Sequence, residues 1–168
     1  PSMRPTVDRS VPPRDAATEA GGDDQLGALP EWRLDDLYPA PDSPELRADL
    51  DWARGACADF AARHEGRLAS ASGASLAEAL AAYEAIQLKL GRAMSYVGLR
   101  YQQDTSDPAR AKQLGDLQTE LTEITTPTIF FTLELNRIDD DALAAKIEES
   151  PALARYKPIF DRLRAMKP

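Results

Sequence analysis

Three times along this chain a serine or aspartate, side chains able to cap a helix, stands directly before a proline: Ser43–Pro44, Asp107–Pro108 and Ser150–Pro151. A cap oxygen accepts a hydrogen bond from one of the unpaired first N–H groups of a helix, and proline fits the first helical position because its own N–H is missing. Each pair therefore predicts a helix start, and the chain must fold around separately launched helices. Behind the first, for which Asp42 or Ser43 can cap, Leu46, Leu50, Ala53, Cys57, Phe60 and His64 recur at spacings of three and four until Gly66, a residue suited to stopping a helix. A second helix is expected from Ser75, Leu76, Ala77 and Glu78, which read as a capping box, with a stripe of Leu76, Leu80, Tyr83, Leu90, Met94, Val97 and Tyr101, interrupted by Gln87 and widened by Ile86. Behind Pro108 run Leu114, Leu117, Leu121, Ile124, Thr128, Phe131 and Leu135, with Pro127 inside the stripe predicting a kink and Asn136 its end. Asp139 or Asp140 caps a short fourth helix through about Glu149, and the fifth, from Ser150, is bent or interrupted at Pro158. The expected fold is all-α: long antiparallel helices joined by short capped turns.

Composition agrees and excludes other classes. Ala and Leu dominate a 43% hydrophobic chain with only 7% aromatics, which favours helices. At 168 residues there is room for one compact domain, or for one domain with a loose tail. A net charge of -8 repels a phosphate backbone, so no nucleic-acid partner is expected. No apolar run approaches the roughly 20 residues that span a bilayer, so no membrane partner is expected either, and a cytoplasmic location follows. The lone Cys57 cannot form an internal disulfide. Residues 1–28 mix Pro, Gly, Asp and Ser with few large apolar side chains and are expected to be a disordered leader, with one helical domain over 29–168. Trp32, Leu34, Leu37 and Tyr38, between Pro30 and Pro39, are expected to pack as an irregular strap.

Three stretches are more particular than packing requires: WRLDDLYPAP (32–41), YQQDTSDPARAKQL (101–114) and IFFTLELNRIDDDAL (129–143), followed by PALARYKPIFDRLR (151–164). In this order, over roughly residues 29–166, the chain resembles the N-terminal helical region of oligoendopeptidase F, a family of zinc metallo-oligopeptidases related to thimet oligopeptidase. The resemblance implies a parent enzyme that hydrolyses short peptides inside an enclosed helical channel, with this region as one wall. It implies zinc in the parent, held by two histidines of an HExxH helix and a downstream glutamate, with the motif's own glutamate as general base. Two histidines four apart share a helix face, and the bound metal lowers the pKa of its water.

That motif cannot be placed here. The single histidine, His64, is followed by Glu65, Gly66, Arg67 and Leu68, so the second imidazole is missing. No catalytic, cofactor-binding or metal-ligating residue is assigned, and no cofactor is expected on this chain. The resemblance makes it an N-terminal portion of a longer enzyme, inactive alone, whose partners are the catalytic domain of the same polypeptide and short peptide substrates. Self-association through an apolar patch is a further expectation. The competing class is a self-contained helical adaptor or coiled-coil assembly module without enzymatic activity.

Each tempting local site has a plainer reading. Cys57 and His64 lie seven residues apart on one helix face, about 10 Å by axial rise, too far for direct proton exchange. They read as a packed thiol and a helix-end imidazole whose charged form suits the negative end of the dipole. Asp139, Asp140 and Asp141 lack the ligand spacing of a calcium loop and read as caps. Glu120, Glu123 and Glu134 read as solvated helix faces. Lys157, Arg162, Arg164 and Lys167 form a local basic run, read as an ordinary charged face before a contact for an acidic domain. Pro127 reads as a bend before a hinge, and Trp32, Tyr38 and Tyr101 as anchors before substrate contacts.

Overall fold

The computed structural model describes residues 32–165. The expected disordered leader (1–28) and Lys167 lie outside the described residues. Among those described, every regular element is helical: α1 Pro44–His64, α2 Gly73–Gln103, α3 Pro108–Thr125, α4 Ile129–Arg137, α5 Asp140–Glu149, α6 Pro151–Ala154 and α7 Lys157–Ala165, with a single 3-10 turn at Thr126–Thr128 between α3 and α4.

The three cap–proline pairs start helices as the sequence predicts. Ser43, Asp107 and Ser150 accept from the N–H groups of Leu46, Ala109 and Leu153, and Asp139 accepts from those of Asp141 and Ala142 at the head of α5. The capping box at Ser75 is displaced. The cap is Ser72, whose Oγ accepts from Ser75 N–H at 3.2 Å, so α2 begins at Gly73. Packing explains the earlier start, because Gly73 is buried where α2 meets α5 and α6. A Cβ on Gly73 would collide with the Lys146 carbonyl oxygen and stand 2.9 Å from Ser150 Cβ. The Lys146 ammonium donates to the Ala71 carbonyl at the same joint.

Helices α1 and α2 run antiparallel, as their contacts show: Asp49 meets Lys89 near one end, while Phe60 meets Tyr83 toward the other, ring centroids 5.8 Å apart. The reversal between them uses Gly66, at φ 74°, a left-handed conformation that costs glycine nothing. The core between them holds Leu50, Ala53, Cys57, Leu76, Ile86, Leu90 and Val97, and α3 adds Leu117 and Ile124.

At Pro127 the third stripe bends through the 3-10 turn rather than continuing straight. Proline supplies no N–H for the preceding turn. Threonine hydroxyls reinforce the change: Thr122, Thr125, Thr126 and Thr128 each donate to a carbonyl three or four residues back, a bond that bends helices. Phe131 and Leu135 nevertheless stay on the buried face, and α4 runs one residue past Asn136 to Arg137. Phe131 fills the bottom of the α1–α2 pair, 5.0 Å from the Phe60 ring and 4.7 Å from that of Tyr83. The fifth predicted helix is broken in two: α6 ends at Ala154, and Pro158 sits in the first turn of α7. Arg164 of α7 donates to the carbonyls of Asn136 and Ile138, placing a cation at the negative end of α4.

Candidate functional site

The residues that invite a chemical reading are mostly engaged in holding helices together. Asp49 is the clearest case. Its carboxylate accepts from Tyr38 Oη at 2.8 Å and from the Lys89 ammonium, with Arg92 3.6 Å away. Arg92 lies over the Tyr38 ring at 4.5 Å and donates to the Leu37 carbonyl. Burial alone would raise the Asp49 pKa. The hydrogen bonds from Lys89 and Tyr38, with the positive charges of Lys89 and Arg92, outweigh it and hold the carboxyl below its ordinary range. The cluster clamps the strap onto α1 and α2. Tyr38, 1% exposed, is its buried anchor, and burial with the Asp49 contact pushes its hydroxyl pKa up. Trp32 is not an anchor of that kind, being 55% exposed, and Tyr101 is half-buried.

Two of the three glutamates read as solvated faces have structural work. Glu120 receives Arg47 at 2.9 Å and Arg54 at 3.1 Å, tying α3 to α1. Glu134 accepts from the N–H of Gly66 at 2.6 Å and of Leu68 at 3.4 Å, satisfying donors in the turn after α1. Both were misread because the partners are 66 or more residues away in sequence. Glu123 is exposed, as expected.

Cys57 is fully buried and burial raises its thiol pKa, the opposite of an activated nucleophile. His64 packs against Phe60, ring centroids 4.8 Å apart and planes inclined by 49°. Its pKa is lowered, first by burial and then by Arg63 and Arg67, which runs against the expectation of a charged form favoured by the helix end. No three His, Cys, Asp or Glu side chains converge on a point among the described residues. The donor set does not fit the zinc site that the resemblance implies, since the one imidazole packs on a phenyl ring and no second exists in the chain. Asp139 caps α5, and Asp140 pairs with Arg164 at 3.0 Å. In the basic run, Lys157 pairs with Asp161 at 2.8 Å and Arg164 is held as described, which leaves less free positive charge than the sequence suggests.

The feature that the sequence reading missed is a groove of about 380 Å³ between α2 and α3. Gln87, Gly91 and Met94 line one wall, and Gln118, Thr122 and Thr125 the other. A second hollow of about 480 Å³ lies along α1 and α2 between Trp52 and His64, with Gly55, Ala82 and Ala85 among its lining residues. Neither shows in a one-dimensional pattern, because each depends on how two helices are spaced.

Fold and geometry define an all-α helical packing domain and no finer class. Compared with protein families, with characterised proteins and with solved structures, the chain matches none of them. No helix among the described residues is long and apolar enough to cross a membrane.

Proposed function

We propose that this chain is a non-catalytic helical wall of a zinc-dependent oligopeptidase, shaping the space in which short peptides are hydrolysed by residues outside it. One observation carries the reading beyond the sequence resemblance: the most distinctive segments use their polar residues as scaffold. Tyr38 of the first segment is locked to Asp49. In the second, Asp107 caps α3, and Arg110 donates to the Arg100 carbonyl at 2.7 Å. In the third, Glu134 secures the α1–α2 reversal. Such wording is what a rigid steric element requires, since it fixes helix positions without exposing a nucleophile or a paired acid and base. The zinc of the parent would be held by an HExxH helix elsewhere in the polypeptide.

The test is the reading frame beyond the codon for Pro168 in the natural gene. The proposal expects an in-frame HExxH a few hundred codons downstream; a nearby stop codon with no such motif overturns it. A second reading, a self-contained assembly module, is favoured by Ile129 and Leu133, one turn apart on α4 and 60% and 53% exposed. It expects a concentration-dependent dimer in sedimentation velocity that Leu133→Glu dissolves.

A further inference from the structure

The groove between α2 and α3 differs chemically from the rest of the surface. In a chain with 29% charged residues, none of its lining side chains is ionisable. The register of α3 shows how. Lys112, Asp116, Glu120 and Glu123 recur at spacings of four and three and share one side, whereas Gly115, Gln118, Thr122 and Thr125 share the side toward the groove.

Glycines lower the same face. Gly91 lines the groove, Gly98 follows it by seven residues on α2, and Gly115 lies on the groove side of α3. A Cβ at any of the three would meet no atom within 4 Å. Internal packing therefore does not demand glycine there, although glycine inside a helix is less stable than alanine. An open face of this kind suits close approach of a second main chain.

The polar groups match that occupant. The hydroxyls of Thr122 and Thr125 donate their protons to the carbonyls of Gln118 and Leu121, each at 2.8 Å, and so present only lone pairs outward. A peptide N–H can donate to them. The side-chain amides of Gln87 and Gln118 stand on opposite walls; the Gln87 amide already meets the Tyr83 hydroxyl, and a primary amide has further donor and acceptor capacity for a second partner. Leu90 and Leu121, with Met94, supply the apolar part of the lining.

We propose that this groove is a subsite for the main chain of an extended, uncharged peptide stretch of about three residues. The length follows from the rise of α3 between Gln118 and Thr125, roughly 10 Å, against about 3.3 Å per extended residue. A helical occupant would arrive with its main-chain bonds closed and leave the amides and hydroxyls unmatched. A charged stretch would lose hydration without gaining a counter-charge. The choice of peptide rests on the oligopeptidase reading.

The experiment titrates the isotope-labelled full chain with a blocked tripeptide, N-acetyl-Ala-Val-Ala-amide, and follows the side-chain amide resonances of Gln87 and Gln118. Both are expected to shift together in a saturable manner. Methylating the central peptide nitrogen, or replacing valine by lysine or aspartate, should weaken binding tenfold or more. Gly91→Leu, which fills open space, should do the same while leaving the circular dichroism melt intact; Thr122→Val is the second variant if Gly91→Leu misfolds. Silent amides up to the solubility limit of the peptide, or affinity unchanged in a folded variant, overturn the proposal. An HExxH downstream with silent amides would keep the wall reading and remove the subsite; saturable, variant-sensitive binding with a stop codon downstream would do the reverse.

Discussion

Helices α1 and α2, of 21 and 31 residues, form one region; the pieces α4 to α7, of 9, 10, 4 and 9 residues, form another. The long pair presents continuous faces to each other, so its stability is spread over many core positions. The short pieces fall below the length at which an isolated helix persists in water. They depend on discrete fastenings: caps at Asp139 and Ser150, the Arg164 contacts, the Gly73 joint and the Phe131 plug. The same composition thus gives a distributed region and a pinned one, and single substitutions should reveal the difference.

The largest effect is expected at Phe131, which plugs the pinned region into the distributed one. Phe131→Ala should cost about 3–5 kcal/mol, read by urea denaturation. A cost below that of Leu90→Ala in α2 would break the comparison. Gly73→Ala comes next: the collision with the Lys146 carbonyl should cost about 1–3 kcal/mol, lowering Tm by about 2–4 °C per kcal/mol. Gly98→Ala, with open space around it, should leave stability unchanged or raise it, and the pair together separates steric joint from generic helix propensity.

Asp49→Asn sharpens the contrast from the other side. Weakening the clamp should cost about 1.5 kcal/mol at neutral pH. Because the folded-state pKa of Asp49 is depressed, its stabilising contribution is present above the unfolded carboxylate value and fades as pH falls through the lower folded one. The variant should therefore lose less stability than the wild type on acidification below about pH 4; parallel acid limbs would show that the clamp is not charge-dependent. The smallest effect is expected for Ser150→Ala, which removes the bond to Leu153 N–H at 3.3 Å and should cost about 1 kcal/mol. Hydrogen exchange should rise in α6 and α7 and stay unchanged in α1.

The long helices were legible because their signals are local: a cap, a proline and a period of three to four suffice for α1 and α3. The start of α2 was misplaced by three residues because a capping pattern at Ser75 and Glu78 competes with a tertiary joint at Gly73, and only the joint decides. Glu120 and Glu134 were misread for the same reason, each meeting partners from a distant part of the chain. His64 looked like a favourable helix-end charge, yet Arg63 and Arg67, visible in the sequence, oppose it once the ring is half-buried on Phe60. The α2–α3 groove was not readable at all, since Gln87 and Gln118 become neighbours across a gap only after both helices are packed.

The central claim is that these residues shape space and leave hydrolysis to others. The direct measurement is the initial rate at which the purified chain, supplied with zinc, cleaves a quenched fluorogenic peptide. The account predicts a rate equal to that of buffer with zinc alone. Turnover that a chelator abolishes and zinc restores, and that His64→Ala removes, would contradict it.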